Sequence, residues 1–219
     1  MNLYHFYHVY ADGRWQEPLQ EHFDTLIRFG LINNLKSFNV GIVGNIDNRN
    51  IVKDFIRNYN LNINFCNETD DGWEQETLDS LYYHSKENDG LVLYTHTKTA
   101  VNYNDLHVRW RKSMEYYNVV RWSDCVNFLN NGHSGVGCYY IPIPSKLDES
   151  MDGYYAGTFW WTHCKYIRNF PKVARGNRYD AEGWIGFLKP SVEKNNEPFN
   201  QYDWTPTHPG DEIGRVISW

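Results

Sequence analysis

Four places in this sequence combine residue types that could do chemistry. The apolar run Gly90–Tyr94 stops abruptly at Thr95-His96-Thr97-Lys98, which brings in His96 and Lys98. A histidine there could ligate a metal, act as a base or donate to a phosphate. A lysine could neutralise a phosphate as a point charge. Asp70 and Asp71 sit in an acidic loop (NETDDG) and could hold a divalent cation together with a ligand diphosphate, since hard cations want carboxylate oxygens. Asp47 has similar standing. The segment Gly157-Thr158-Phe159-Trp160-Trp161 joins a glycine, which allows close approach, to two tryptophans able to wall a pocket. Arg178–Trp184 places Tyr179 and Glu182 on one helical face. Glu182 would be costly to bury unless paired or catalytic, and a carboxylate there suits general-base work. Each place also has a plain alternative: a polar strand exit, a solvated acidic loop, an aromatic core, a helix-surface acid.

The surrounding elements decide whether these places can meet. Leu3–Tyr10 reads as a first strand, Trp15–Phe29 as a helix ending at Gly30, and Phe38–Val43 as a second strand running into Gly44-Asn45. Asn50–Tyr59 reads as a helix, Leu61–Cys66 as a third strand, Trp73–Lys86 as a helix, and the run before His96 as a fourth strand. Alternation of this kind predicts a mostly parallel sheet covered by helices. The ligand site should then lie at the C-terminal ends of the strands. That topology gathers Tyr10, Gly44-Asn45, Thr69–Asp71 and His96–Lys98 at one edge. The second half reads as helices over Asp105–Tyr116 and Val119–Leu129, a fifth strand over Gly135–Ile141, and a loop over Leu147–Gly153. An apolar segment over Tyr155–Trp161 follows, then a short helix over Thr162–Asn169 and another over Arg178–Phe187. A loop-rich tail holds Trp204 and Trp219.

The composition narrows the partners. The 219 residues carry a net charge of −6, with no Lys/Arg run beyond Arg109, Arg111 and Lys112. That is too little for a nucleic-acid footprint but enough for a phosphate or two. The 17 Tyr, 11 Phe and 9 Trp suit a core and also a site that stacks on sugars or bases. Cys66, Cys125, Cys138 and Cys164 match no zinc spacing and read as core thiols of a reducing compartment. No signal peptide and no membrane-length apolar run is present. The expectation is a soluble cytoplasmic protein, or a soluble piece of a longer multi-domain one. There is no nucleophile elbow, phosphate-binding P-loop, dinucleotide fingerprint or His-Glu-x-x-His, which argues against hydrolase, kinase, dehydrogenase and metalloprotease readings.

Three segments carry a family resemblance: LYTHTK at Leu93–Lys98, GTFWWTHCKYI at Gly157–Ile167, and the Glu182-bearing stretch Arg178–Trp184. With the N-terminal strand they resemble a group of small GT-A-fold glycosyltransferases known from large DNA viruses of algae and from bacteria. The resemblance implies one α/β domain over 1–219. Residues 1–100 would form the nucleotide-sugar half, and 101–219 the acceptor half with the tail; a viral chain would act in the host cytoplasm. It further implies a donor such as a UDP-linked hexose or deoxyhexose and a carbohydrate acceptor. The base would lie near His8, Val9 and Tyr10, with Asn45 beside it. The broader class carries an Asp-x-Asp motif for manganese where this chain has Thr95-His96-Thr97. Either His96 joins Asp70 or Asp71 around Mn²⁺ or Mg²⁺, or Lys98 and Arg111 replace the metal. Thr99 stands where the group has glycine. Glu182 is the preferred base with Asp180 in reserve, and Gly157, Trp160, Trp161 and Tyr179 line the acceptor side. The rival readings are a non-catalytic sugar- or nucleotide-binding module and a nucleotide-dependent phosphotransferase.

Overall fold

The computed structural model describes residues 1–142, 153–187 and 199–200. Its centre is a seven-stranded sheet in the order β3-β2-β1-β4-β8-β5-β9. Strands β1 (Leu3–Tyr10), β2 (Leu35–Val43), β3 (Ile63–Thr69) and β4 (Leu91–His96) are mutually parallel. Helices α1 (Gln16–Arg28), α2 (Ile46–Arg57) and α3 (Gln75–Glu87) connect them. This is the expected mixed α/β layout: a mostly parallel sheet between helical layers.

Alternation along the strands sorts their side chains to two cores. Tyr7, Val9, Leu91, Leu93 and Trp161 face one, where Leu19, Phe23 and Leu26 of α1 and Val52 and Ile56 of α2 pack. Tyr4, Phe6, Val92, Tyr94 and Trp160 face the other, against Leu78 and Leu81 of α3. The apolar spacing of α1 is what turns Leu19, Phe23 and Leu26 to the sheet. Asn45 starts α2 by accepting the Asn48 N–H at 3.0 Å, so the helix begins four residues before the expected Asn50.

The second half departs more from expectation. Helix α4 (Asp105–Glu115) passes through a π-helical turn, Tyr116–Val120, into α5 (Trp122–Asn130). The expected strand Gly135–Ile141 is two strands, β5 (Gly135–Gly137) and β6 (Tyr140–Pro142), broken at Tyr139 with φ +60°. β6 pairs with β7 (Gly153–Tyr155) in a separate small sheet. β8 (Trp160–His163) inserts antiparallel between β4 and β5, and β9 (Phe199–Asn200) lies parallel to β5. The expected helix from Thr162 shrinks to α6 (Cys164–Ile167), because Thr162 and His163 complete the strand. The Arg178–Phe187 helix is α7 (Tyr179–Gly183) followed by a 3-10 turn, Trp184–Phe187. Most of the Leu147–Gly153 loop, with Trp204 and Trp219, lies outside the described residues. None of the four cysteines forms a disulfide; Cys66 is half-buried and the other three are buried. No described helix is long and apolar enough to cross a membrane.

Candidate functional site

Parallel pairing sets His8 of β1 directly beside His96 of β4. Both side chains point to the α3 face, at the C-terminal ends of their strands. There they line a cavity of about 290 Å³ with Tyr10, Trp73, Glu74, Lys98, Thr158, Arg178, Tyr179 and Glu182. Strand ends, the entry to α3 and the start of α7 therefore supply one site.

Each wall is fixed by identifiable bonds. His8 Nδ1 meets Thr77 Oγ1 of α3 at 2.8 Å. A Cβ at Gly41 on β2 would occupy the space that Thr77 uses, so glycine there lets α3 close on the sheet. Lys98 sits in a turn anchored on three sides. Thr97 N–H donates to His8 O at 2.9 Å and Thr97 Oγ1 accepts the Tyr10 N–H at 3.0 Å. Arg111 Nη1 donates to Thr99 Oγ1 at 2.5 Å, and Arg14 N–H donates to Ala100 O at 2.7 Å. Thr99 holds φ +81°, an uncommon value for a β-branched residue, under these ties. The Lys98 ammonium lies 4.0 Å from the Trp110 ring centroid, a cation–π contact.

On the opposite wall Glu182 Oε1 accepts the Gly157 N–H at 2.9 Å. The Gly157 carbonyl in turn accepts from His96 Nε2 at 2.9 Å. Gly157 has φ +88°, and a Cβ there would meet Met114 Sδ at 2.6 Å. Its smallness thus serves close packing under the site. Glu74, which sequence reasoning missed, completes the wall. Tyr94 OH donates to Glu74 Oε2 at 3.1 Å, and Glu74 Oε1 lies 3.5 Å from His96 Nδ1.

Burial controls the charges. Desolvation, with Lys98 adding to it, pushes the His96 imidazole down to about 3. Desolvation with His96 as neighbour pushes His8 down to about 3. Both rings are neutral at physiological pH. Desolvation lifts the Glu74 carboxyl to about 7, Glu182 adding to the rise and Lys98 opposing it. Lys98 is lowered by burial, with Glu182 and Glu74 pulling the other way. The cavity therefore holds an ammonium and two carboxyl groups whose environments differ.

Several expected site residues do not reach this cavity. Trp160 and Trp161 are fully buried on opposite faces of β8, the first stacked on Tyr94 at 5.2 Å and the second in the α1-side core. They build the sheet rather than wall an acceptor pocket; Tyr10, Trp73 and Tyr179 are aromatics that line the cavity. Arg111 is 1% exposed and bonded to Glu17 and Glu21 of α1 as well as Thr99, so it holds the Lys98 turn and presents no free fork to a phosphate. Val9 points to the α1-side core. Asn45 caps α2 and bonds Asp12, outside the cavity. Asp180 accepts from Asn177 N and Nδ2 at 2.8 and 2.9 Å and caps its own turn.

The cation site of Asp70, Asp71 and His96 does not form. β3 is three strand positions from β4, or roughly 14 Å across the sheet. Asp70 pairs with Arg49, and Asp71 is exposed. Among the described residues no group of three His, Cys, Asp or Glu could hold a metal. The carboxyl groups that share the cavity, Glu74 and Glu182, both act electrostatically on Lys98, whose ammonium already supplies positive charge. This donor set does not fit a divalent cation.

No family model and no curated protein matches this chain. Among solved structures, 4-diphosphocytidyl-2C-methyl-D-erythritol synthase from Anaerococcus prevotii is similar at 12% identity, over 99% of this chain and 92% of that one, with a TM-score of 0.44.

Proposed function

We propose that this protein transfers a glycosyl group from a nucleotide-diphosphate sugar, a UDP-linked hexose or deoxyhexose, to a carbohydrate hydroxyl. The observation that carries the reading is the convergence of Glu182 and Lys98, from distant parts of the chain, on one cavity at the C-terminal ends of β1 and β4. Crevices at such strand ends are the usual ligand sites of α/β sheets. Lys98, with Arg178 on the rim, offers positive charge to a diphosphate without a metal ion. Glu182, oriented by the Gly157 N–H, is the group placed to take a proton from an attacking hydroxyl. Trp73 and Tyr179, 48% and 64% exposed, offer flat surfaces to a sugar ring or base. Inversion follows as the simplest course, since one carboxylate base suffices and no covalent intermediate is needed.

The test is a panel of nucleotide sugars incubated with the protein and candidate glycans, reading free nucleoside diphosphate. Release by the native protein and its loss in Glu182→Gln are expected. Donor binding without release from any donor would leave a binding module. Release of nucleoside monophosphate or a phosphosugar would instead identify a phosphotransferase.

A further inference from the structure

Glu74 lies in no motif, yet among the described residues it meets two of the site's polar side chains, Tyr94 and His96. It occupies the N-cap position of α3, but its carboxyl makes no capping bond to the helix. The carboxyl turns instead toward Tyr94 OH and His96. The His96 tautomer is fixed by the other end of its ring. A carbonyl oxygen only accepts, so the 2.9 Å contact with Gly157 O puts the ring proton on Nε2. In the neutral ring Nδ1 is then a bare lone pair, and it faces Glu74 Oε1 at 3.5 Å. Two acceptors face one another there unless a proton lies between them, and Glu74 is the group that can carry it.

We propose that Glu74 stands protonated in the resting site and is a second catalytic residue, the acid that gives its proton to the oxygen departing beside Lys98. The role as acid rests on the glycosyl-transfer reading above. In that step the sugar–oxygen bond of the donor breaks, its electron pair goes to the phosphate oxygen, and that oxygen takes the Glu74 proton. The acceptor oxygen forms the new bond to the sugar and gives its proton to Glu182. Glu74 ends as a carboxylate beside the Lys98 ammonium and Glu182 as a carboxylic acid, and exchange with water resets both. Among the described residues, the groups facing Glu74 are Tyr94 and His96 of β4, Lys98 of the following turn, and Arg178 and Glu182 at α7. Burial and Glu182 favour its neutral form, while Lys98, Arg178 and the Tyr94 hydroxyl favour the carboxylate. Burial outweighs the attractive neighbours and raises the carboxyl from 4.5 to about 7.

The first measurement needs no turnover. The side-chain carboxyl carbons are followed by ¹³C NMR against pH in the ligand-free protein, and Glu74 is identified as the resonance missing from Glu74→Gln. It should titrate near neutrality; titration in the ordinary carboxylate range, near 4, would overturn the proposal. Should Glu74→Gln not fold, Glu74→Asp serves, its shorter side chain withdrawing the acid from His96 and lowering its titration. The second measurement is the affinity for UDP-glucose, whose diphosphate diester does not titrate near neutrality. If the bound anion raises Glu74 by about one unit, binding weakens about fivefold between pH 6 and pH 8. Glu74→Gln should flatten that dependence; a variant that keeps it would also overturn the proposal. A native protein that shows the neutral titration but releases no nucleotide would sink the transferase reading and leave the protonated Glu74 standing.

Discussion

His96 and Glu182 are joined through the backbone of one residue: the imidazole donates to the carbonyl of Gly157, and the N–H of Gly157 donates to the carboxylate. Base and strand end are thereby held at a fixed spacing by a residue with no side chain. Gly157→Ala should disturb both at once. Its Cβ would press on Met114 and its φ of +88° disfavours an L-residue. A loss of about 1–3 kcal/mol in urea unfolding is expected. An alanine variant as stable as the native protein would refute the packing argument.

Glu182→Gln keeps an oxygen to accept the Gly157 N–H but loses the base. Stability should stay close to native while nucleoside diphosphate release falls by about 10²–10⁴-fold. A fall in stability of several kcal/mol would mean that Glu182 holds the fold and does not act on substrate.

Lys98→Met removes the ammonium and leaves two carboxyl groups in one cavity. Donor affinity should weaken by roughly 10–100-fold, the loss expected for one charged contact. Glu74 should become still harder to ionise, because Lys98 is its principal attractive neighbour. A chelator should leave the melting temperature unchanged, since Asp70 is engaged by Arg49 and the His96 ring by Gly157 and Glu74. A chelator-induced drop in melting temperature would contradict this account of the donor set.

Acid should destabilise the protein. His8 and His96 are held at about 3, and His5, buried beside His22, well below its ordinary 6.5. Below 6.5 the unfolded chain binds these protons and the folded chain does not, so stability falls as pH drops from 6.5 toward the folded values. Glu74 acts in reverse. Its folded value is raised to about 7 from 4.5, so its contribution is full below 4.5 and is lost as pH rises through 7. Three histidines against one carboxyl leave a net loss toward acid, roughly 1–2 kcal/mol per histidine between pH 6.5 and 5. Urea midpoints at pH 7.5 and pH 5 check this, and equal midpoints would contradict it.

The first hundred residues were readable because their helices and strands keep clean periods. β1 matches its expected bounds and α1 lies within one residue of its own at each end, and parallel connection then dictates which strand ends meet. β8 was not readable. Trp160-Trp161-Thr162-His163 is buried on both faces, so it shows no alternation and merges with the apolar and helical signals around it. The tryptophans looked like pocket walls for the same reason, since a strand between two cores needs large side chains on both sides. Arg111 has the composition of a surface patch, and only the approach of Glu17 and Glu21 on α1 turns it into a buried tie. Glu74 was passed over because Trp73-Glu74 reads as an ordinary helix entry. Its one signal was a carboxylate next to an aromatic at a strand-to-helix junction, on the side of the sheet where the other polar strand ends gather.

The turn from Thr97 to Ala100 is tied at three of its residues, whereas the Lys98 side chain rests on the face of an indole. Among the described residues, the part of this wall left to move is then one long side chain, which can swing off a ring in picoseconds to nanoseconds, and not the backbone of the turn.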